Sequence, residues 1–480
     1  MKNNILREEI KSVFLKNIIK LNYVISCNLV GSYLNKKKIN LNSDIDIVVI
    51  VDSLKKKKFE EIINTVKKKF ISSKYFKEYN LYINSSFGPL KYRIKNTLIL
   101  HLMIYDLKGH LNHTISSPFT CYDWERSNLY EGDKLNTIFP IGNLQFIDFL
   151  NARRGIINYL DNLDKLRIEY QIYNFQSNKY SLIKKYKKIS EINSQEFIYH
   201  IVNNLINNLN KLLMQKNIKI NKIKFKILFM EITSNDLKFY ETYKSIERTK
   251  VSNKPITNLL TKLHIKKTIG FIKKFQIHLD YHLKNSYKVI FMRHAKTKLN
   301  NKIFIGQLLD PNIIKIKNNY SKFKNINICF SSPLKRSLET AKKFYRGRII
   351  KDKLLQEINY GLVEGKNIDY LNKTFPLIIK KWSLNKDERF PKGENYYDLN
   401  KRINIFLKQQ IFKNYDKNIL VITHNVFLRT LLGNYFKIKR NIWFKINIKY
   451  LDSFEFIILN KKMISNINRK KLLLTYKDIA

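Results

Sequence analysis

The sequence predicts a multidomain α/β protein, and three observations lead to this fold class. The chain has 480 residues, more than one ordinary hydrophobic core holds. Short strand-like runs alternate with helix-like stretches near both ends of the chain. The stretch between them has apolar residues at helical spacing and few Gly or Pro residues. We therefore expect an α/β domain at 1–142, a helical accessory region at 143–285 and a second α/β domain at 286–480.

The first α/β domain is predicted from apolar strand-like runs, one of which carries two carboxylates. In the strand DIDIVVIV, Asp44 and Asp46 are two residues apart and so face the same side. Both can bind one Mg²⁺ ion that also holds triphosphate oxygens. Upstream, Gly31 lets backbone amides approach a phosphate group, and Ser32 adds a hydroxyl. These residues together predict a magnesium-dependent site for a nucleoside triphosphate.

A Gly-Ser pair, a loop and Asp-x-Asp in an apolar strand resemble the signature of the DNA polymerase β-like nucleotidyltransferase superfamily. The resemblance extends over roughly residues 20–110 and implies nucleotidyl transfer with a third carboxylate on a later strand. In the later strand, TLILHLMIYD, the expected position falls at His101, and Asp106 is the nearest carboxylate. We predict Asp106 as the third metal ligand. A histidine at the expected position puts two-metal catalysis in question.

The middle region is predicted to be mostly helical, because stretches such as EFIYHIVNNLINNLNKLLM place apolar residues at helical spacing. It is either an accessory part of the first domain or a separate module. Just before it, SPFTCYDWERS offers Asp123, Trp124 and Arg126 as possible lining of an acceptor pocket. The alternative interpretation of Trp124 beside charged residues is interface packing.

The last domain is predicted from short buried strands that end in residues suited to phosphate. In KVIFMRHAKT the apolar run is followed by Arg293 and His294. NICFSSPLKRSLETA contains Arg336, and NILVITHN contains His424. Ligands of open α/β sheets bind beyond the carboxyl ends of the strands, so these side chains are expected to converge. Guanidinium groups can clamp phosphate oxygens in fixed geometry.

The same residues define a reaction. A neutral imidazole, His294, can attack phosphorus and form a phosphohistidine, while His424 donates hydrogen bonds to the transferring group. The leaving alkoxide needs a proton, which a carboxylic acid with a raised pKa can supply. Glu357 and Glu364 in LLQEINYGLVEG are the two candidates.

These segments, in this order, resemble the histidine phosphatase superfamily, also called the phosphoglycerate mutase-like family, over roughly the last 190 residues. The resemblance implies a three-layer α/β/α fold and no cofactor for this domain. It implies His294 as nucleophile and Glu357 as proton donor, with Arg293, Arg336 and His424 forming the phosphate pocket. The further residues that it assigns to substrate binding are Asn300, Gly306 and Asn425.

Two departures concern the segment PKGENYYDLNKR, which contains Glu394 and Arg402 and resembles the family's Pro-Gly-Gly-Glu-Ser segment. Lys392 stands where Gly is usual, and Asn395 stands where Ser is usual. Both affect substrate-side loops more than the phosphate pocket. The compact tail leaves little room for the large insertions that cover mutase sites, so we favour hydrolysis over mutase chemistry.

The composition fits packed domains in a reducing compartment. Hydrophobic residues make up 44% of the chain, which argues against disorder. The three cysteines are far apart and odd in number, which argues against a disulfide framework or a CxxC zinc site. The N-terminal segment lacks the apolar core of a secretory signal, and no run approaches membrane-spanning length. We expect a soluble, cytoplasmic protein without a membrane partner.

The formal net charge of +52 is compatible with a nucleic-acid partner, because such a charge attracts polyanions. The positive residues are mostly Lys, spread among abundant Ile and Asn, as an AT-rich genome produces in any protein. A nucleic-acid partner therefore stays possible but is not favoured.

Together these predictions describe a multifunctional enzyme with two activities, that is, a bifunctional enzyme. A C-terminal phosphomonoesterase would act on a small phosphorylated metabolite, and an N-terminal Mg²⁺-dependent nucleotidyltransferase would use a nucleoside triphosphate and a small acceptor. Two alternatives stay open. In one, a non-catalytic nucleotide-binding N-terminal domain regulates the phosphatase. In the other, the N-terminal and helical parts form an RNA-directed nucleotidyltransferase.

Overall fold

The structure is a computed structural model of the chain. It describes residues 2–31, 44–90, 94, 96–176, 179–189, 191–252, 258–299, 302–413 and 416–469. The chain divides into two compact units, 1–279 and 280–480, which we call the N-terminal unit and the C-terminal unit. The N-terminal unit includes almost all of the first two predicted parts. The boundaries near 142 and 285 stay predictions about domains.

A five-stranded mixed sheet forms the centre of the N-terminal unit, with the strand order β3-β4-β2-β1-β5. Strands β3, β4 and β2 run parallel, whereas β1 is antiparallel to both β2 and β5. The central strands are almost continuously apolar because they are buried on both faces. The strands are β1 (Val24–Val30), β2 (Ile45–Val51), β3 (Asn80–Asn84), β4 (Thr97–Asp106) and β5 (Tyr130–Gly132).

Helices connect several strands of this sheet and make up most of the N-terminal unit after β5. Long helices dominate after residue 190, where the sequence has helical apolar spacing. None of the helices in the described ranges is long and apolar enough to cross a membrane. They are α1 (Lys2–Ile10), a π-helical turn (Lys11–Leu15), α2 (Lys16–Ile18), α3 (Lys56–Ile71), α4 (Leu107–Ser116), α5 (Pro118–Trp124), α6 (Leu135–Ile138), α7 (Asp148–Asn151), α8 (Ile156–Asp164), α9 (Glu191–Met214), α10 (Lys222–Thr233), α11 (Leu237–Ser252) and α12 (Asn258–Lys284).

The middle region also contains a β-hairpin, which the helical prediction missed. Strands β6 (Arg167–Gln176) and β7 (Lys179–Lys188) pair antiparallel along their whole length. Their sequence alternates polar and apolar residues over much of β6, which is the period of a strand and not of a helix. The hairpin joins the first part of the unit through Phe87 and Gln171, whose backbones exchange two hydrogen bonds of 2.8 and 2.7 Å.

The C-terminal unit has a six-stranded sheet with the order β10-β9-β11-β8-β12-β13. The first four strands of this order run parallel, whereas β12 is antiparallel to β8 and to β13. The parallel strands are short apolar runs, as the sequence predicted for a buried sheet. They are β8 (Tyr287–Arg293), β9 (Ile328–Ser331), β10 (Ile349–Lys351), β11 (Ile419–Thr423), β12 (Ser453–Leu459) and β13 (Lys462–Ser465).

Two helices of the C-terminal unit pack on strands that lead to the candidate site. Helix α13 contacts β9 and β11, and helix α17 contacts β8. The helices are α13 (Lys335–Phe344), α14 (Ile368–Thr374), α15 (Pro376–Ser383), α16 (Tyr396–Phe406) and α17 (Asn425–Tyr435), with 3₁₀ turns at Lys353–Leu355, Gly361–Val363 and Arg440–Lys445 and a π-helical turn at Leu407–Ile411. This α/β architecture agrees with the fold class expected for the last part of the chain.

Candidate active site

Three adjacent parallel strands deliver the candidate residues to one edge of the C-terminal sheet. Strand register pairs Thr423 with Arg293 and Ser331 with Ile422, so β8, β9 and β11 end at the same level. The backbone N–H of His294 donates to the carbonyl of Thr423 at 2.9 Å. As a result the His294 and His424 rings lie close together, with centroids 5.1 Å apart. The structure thus brings together the two histidines that the strand-end argument predicted to converge.

His294 is held in the form that a nucleophile needs. Its Nδ1 lies 2.7 Å from the carbonyl oxygen of Ala295, which can only accept, so Nδ1 carries the proton and donates. The lone pair is therefore on Nε2. Burial holds the pKa of His294 well below its ordinary value, and the positive charges of Arg336 and Arg293 lower it further. These effects favour the neutral imidazole, which is the form that can act as a nucleophile.

The two predicted arginines are buried beside this ring. Arg336 is only 1% exposed and donates from Nη2 to the Gly306 carbonyl at 2.7 Å and from Nη1 to the Leu309 carbonyl at 3.0 Å. Arg293 donates to the Ile448 carbonyl and stacks on the Tyr450 ring, with its guanidinium carbon 3.9 Å from the ring centroid. Among the described residues, neither Nε atom has a hydrogen-bond partner. Both are therefore available to a phosphate oxygen.

His424 is the residue immediately before helix α17 and is fully buried. Its Nε2 lies 3.2 Å from the Ser337 hydroxyl, while Nδ1 has no hydrogen-bond partner among the described residues. Burial lowers the pKa of His424 well below its ordinary value, and Arg336, His294 and Arg293 add to this shift. A second neutral imidazole thus faces the same space as His294.

Glu357 is 4% exposed and lies against the start of helix α17. Its carboxylate accepts from the backbone N–H groups of Val426, Phe427 and Ile358 at 3.2, 3.3 and 3.0 Å. Burial raises the pKa of Glu357, and this effect exceeds the opposing effects of the N–H donors and of Arg336 and Arg293. A carboxyl with a raised pKa next to the phosphate pocket is suited to donate a proton.

Glu364, the other candidate acid, has a structural role. Its Oε1 accepts from the backbone N–H groups of Gly306, Leu308 and Leu309, and its Oε2 accepts from that of Gln307. It therefore fixes the loop whose carbonyls hold Arg336. Gly306 is needed there because a Cβ atom would lie 2.7 Å from Glu364 Oε2.

The remaining predicted substrate residues are only partly placed. The Asn425 Oδ1 atom is buried and has no hydrogen-bond partner in the described part of the chain. Asn300 lies outside the described residues. The sequence argument missed Tyr450, which stacks on Arg293 and whose ring centroid lies 6.3 Å from that of His294. No motif marks Tyr450, because its position depends on the loop before β12.

In the N-terminal unit, Gly31 and Asp46 meet as the sequence suggested. Gly31 has a φ of 76°, and a Cβ at this position would collide with the Asp46 carboxylate. Asp46 Oδ1 lies 2.8 Å from His101 Nδ1, and His101 Nε2 lies 2.7 Å from the Ser86 carbonyl. His101 thus occupies the position next to Asp46 at which the resemblance implies a carboxylate. Ser32 lies outside the described residues.

Asp106 does not join this pair, which corrects its prediction as a metal ligand. In the parallel register Asp46 lies opposite His101, whereas Asp106 lies opposite Val51, about 16 Å further along the strand. Asp106 instead caps helix α4, accepting from the Gly109 N–H at 2.6 Å and from the Tyr180 hydroxyl at 3.0 Å. Within the described ranges, no three His, Cys, Asp or Glu side chains are placed to hold a metal ion together.

A match to a family model agrees with the C-terminal geometry. Residues 289–461 match the model of the histidine phosphatase superfamily (branch 1). The C-terminal unit therefore has the α/β fold of histidine phosphatases, which confirms the resemblance predicted from the motifs for this part of the chain. Nothing in the comparisons shows the nucleotidyltransferase superfamily in the N-terminal part, so that resemblance stays a prediction.

Solved structures similar to part of the chain include the following three proteins. Bacillus stearothermophilus YhfR has 19% identity and a TM-score of 0.34, covering 38% of this chain and 96% of its own. A phosphoserine phosphatase mutant from Entamoeba histolytica, solved with phosphoserine, has 21% identity and a TM-score of 0.34, covering 39% and 100%. A putative α-ribazole-5'-P phosphatase from Escherichia coli has 16% identity and a TM-score of 0.32, covering 38% and 96%. No curated protein matches the chain.

Proposed function

We propose that the C-terminal unit hydrolyses small phosphate monoesters through a phosphohistidine formed on His294. The observation that carries this proposal is the hydrogen bond from Nδ1 of His294 to the Ala295 carbonyl, which leaves the Nε2 lone pair unprotonated in a pocket with two arginines. A neutral imidazole can act as the nucleophile, and a preorganised cationic pocket stabilises the charge on the transferring phosphoryl group.

In the first step, Nε2 of His294 attacks phosphorus and the bond from phosphorus to the ester oxygen breaks. The leaving alkoxide takes the proton of Glu357, whose raised pKa favours the acid form. The ε N–H groups of Arg293 and Arg336 and the ring of His424 bind the oxygens of the transferring group as charge shifts onto them.

In the second step, a water molecule attacks phosphorus and returns its proton to the Glu357 carboxylate. The bond from phosphorus to Nε2 breaks, phosphate leaves, and His294 is again neutral. If a substrate hydroxyl replaced water, the same site would act as a mutase. We propose hydrolysis, with a small phosphorylated metabolite as substrate and no cofactor.

The experiment is hydrolysis of an aryl phosphate by the full chain, with and without chelator, for the wild type, His294→Ala and the control His282→Ala. We expect chelator-resistant phosphate release that His294→Ala lowers roughly a thousandfold or more and the control leaves intact. An acid-labile phosphoryl label on the wild-type chain, absent from His294→Ala, would identify the intermediate. Activity that survives His294→Ala would refute the mechanism.

As a second candidate function we propose nucleotidyl transfer in the N-terminal unit. The close approach of Gly31 to Asp46 favours it, because this backbone and this carboxylate would meet the same triphosphate. Asp44 and Asp46 would hold one Mg²⁺ ion, which neutralises triphosphate oxygens when bound, and a pair of carboxylates fits this requirement. A second ion held by Asp106 does not fit the structure.

The test is pyrophosphate release from each nucleoside triphosphate with Mg²⁺, in the His294→Ala chain so that the phosphatase is silent. Release that Asp46→Asn abolishes would support nucleotidyl transfer. Nucleotide binding without release would favour the regulatory alternative instead. RNA binding that persists at physiological salt would favour the RNA-directed alternative, because non-specific attraction to Lys is strongly screened.

A further inference from the structure

A cavity of about 350 Å³ opens inside the N-terminal unit, between the edge of the sheet that carries Asp46 and helix α9. Its wall is rich in cationic, amide and aromatic side chains. The lining includes Asp123, Trp124 and Arg126, the residues that the sequence offered for an acceptor pocket. Pockets for small ligands commonly span about 300–1,000 Å³, so this cavity is suited to a compact metabolite.

The charges around the cavity do not balance. Five cations line it, against three carboxylates: Arg126, Arg153, Arg154, Lys211 and Lys219 face Asp46, Asp123 and Glu196. One carboxylate, Asp123, is shared by the buried ammonium of Lys211 and by the Arg126 guanidinium, the latter at 3.0 Å. The lining thus holds two more cations than carboxylates, which favours an anionic ligand such as a phosphate ester.

The turn between helices α7 and α8 contributes most of this excess. Arg153 donates to the Gln171 side chain, and its Nε has no hydrogen-bond partner among the described residues. Burial lowers the pKa of Arg153 to about 10, and the charge of the neighbouring Arg154 adds to the effect. Arg154 forms no hydrogen bond or ion pair within the described ranges. Glu169 lies close enough to oppose part of the shift in the pKa of Arg153, and the two adjacent guanidinium groups still offer several donors that suit a phosphate group.

Helix α9 supplies an amide wall on the other side of the cavity. Asn203, Asn204, Asn207 and Asn208 all line the space, because positions one, four and five apart lie on one helix face. Carboxamides both donate and accept hydrogen bonds, as sugar and polyol hydroxyls do. Near them, His113 stacks on Trp124 with centroids 5.0 Å apart, and its buried Nε2 has no partner among the described residues.

We propose that this cavity binds a small phosphorylated polyhydroxyl metabolite, such as a sugar phosphate. Arg153 and Arg154 bind its phosphate, and Lys219 and the asparagine wall of α9 bind its hydroxyls. Gly31 and Asp46 also line this cavity, so it adjoins the proposed nucleotide site, but binding of a phosphate by Arg153 and Arg154 requires neither of the two candidate reactions. The cavity volume is at the lower end of the range for ligand pockets, which favours a sugar phosphate over a nucleoside triphosphate as its occupant.

The test is calorimetric titration of the full-length His294→Ala chain, in which the phosphatase does not consume the probes. The probes are glucose 6-phosphate, glucose and ATP. The variants add Arg154→Gln or Lys219→Gln, and the control adds Arg248→Gln, an exposed arginine on α11 that does not line the cavity. Arg154→Gln leaves no described partner unsatisfied, and Lys219 is exposed, so both variants are expected to fold; equal melting temperatures will verify this.

We expect glucose 6-phosphate to bind, glucose to bind far more weakly, and each of the two variants to weaken glucose 6-phosphate binding roughly tenfold. Arg248→Gln should bind like its parent. Any binding of the probe in the C-terminal unit is insensitive to Arg154, so the difference between variants isolates the cavity. Glucose 6-phosphate binding that ignores Arg154 and Lys219, or an Arg154-dependent site that takes ATP and not glucose 6-phosphate, would overturn the proposal.

Discussion

Arg402 and Glu394 form a two-point ion pair behind the candidate acid of the C-terminal unit. Nε and Nη2 of Arg402 each lie 2.8 Å from a different oxygen of Glu394. The same guanidinium donates from Nη1 to the Leu354 carbonyl at 2.8 Å and from Nη2 to the Glu357 carbonyl at 3.3 Å. Glu394 in turn accepts from the Asn359 N–H at 2.8 Å. The pair therefore fixes the backbone on both sides of Glu357.

Breaking this pair is expected to destabilise the C-terminal unit. The two side chains are 18% and 19% exposed, so each of Arg402→Met and Glu394→Gln should lower the free energy of unfolding by about 2–3 kcal/mol. The double variant should cost less than the sum, with a coupling of about 1–2 kcal/mol. Urea unfolding of the four proteins measures this, and strict additivity would show that the two residues do not act as a pair.

Replacing the acid Glu357 by Gln should slow the reaction in a way that depends on the leaving group. An alkyl phosphate needs the proton, so its kcat should fall about 10²–10⁴-fold, whereas an aryl phosphate with an acidic phenol should lose much less. Steady-state kinetics with both substrates measures the split. Glu388→Gln, at a surface ion pair with Lys381, is the matched control and should leave both rates unchanged. Equal losses for the two substrates would contradict the role of proton donor.

The convergence of Arg293, His294 and His424 was predictable because each of them ends a short apolar strand or directly follows one. Arg293 ends β8 and His424 follows β11, so the strand pattern alone places them at one edge of a parallel sheet. The choice between Glu357 and Glu364 was not predictable from chemistry, since both are carboxylates in one segment. Only the fold shows that Glu364 accepts four backbone N–H groups of a loop, whereas Glu357 reaches the start of α17.

The N-terminal site follows less directly from the sequence than the C-terminal site does. The apolar run after Asp44 correctly predicted a strand, which starts at Ile45, but the partner of Asp46 depends on the register of a strand far along the chain. That register places His101 beside Asp46 and carries Asp106 to the opposite end of β4. The hairpin β6–β7 departs from the helical prediction for the middle region. It lies between helices α8 and α9, and the apolar spacing of the region as a whole is helical. Arg153 and Arg154 belong to no motif of the sequence. They line the cavity because of the turn that precedes α8.

The phosphatase is expected to work best on the acidic side of neutrality. The proposed mechanism requires neutral His294, and burial holds the pKa of His294 well below 6.5, so activity should persist as pH falls below that value. Glu357 must be protonated, and although its pKa is raised above 4.5, it loses its proton as pH rises. The kcat/KM profile, corrected for the second ionisation of the substrate near pH 6, should fall on the alkaline side. Glu357→Gln should abolish that alkaline fall, and a fall that remains in the variant would assign it to another group.

His110 is buried between Tyr105 and Phe139 in the N-terminal unit. Neither of its ring nitrogens has a hydrogen-bond partner among the described residues, and burial lowers its pKa to about 4. The unfolded chain, with an ordinary pKa of 6.5, binds this proton more tightly. The stability that depends on neutral His110 is therefore fully present above pH 6.5. It is lost as pH falls toward 4, by roughly 3 kcal/mol in total.

His110→Leu removes this group and fills the same apolar space. We expect the variant to be about 1–2 kcal/mol more stable than the wild type at pH 7.5, because two unsatisfied nitrogens leave the core. The gain should grow between pH 6.5 and pH 5, because His110 becomes protonated there in the unfolded wild type but not in the folded one, and the variant has no such group. Urea unfolding at both pH values gives the comparison. His113 stays in both proteins, and its pKa is lowered first by burial and then by Arg153, His110 and Arg154, so most of its contribution cancels in the difference. A gain that is the same at pH 7.5 and pH 5 would show that His110 does not titrate on unfolding.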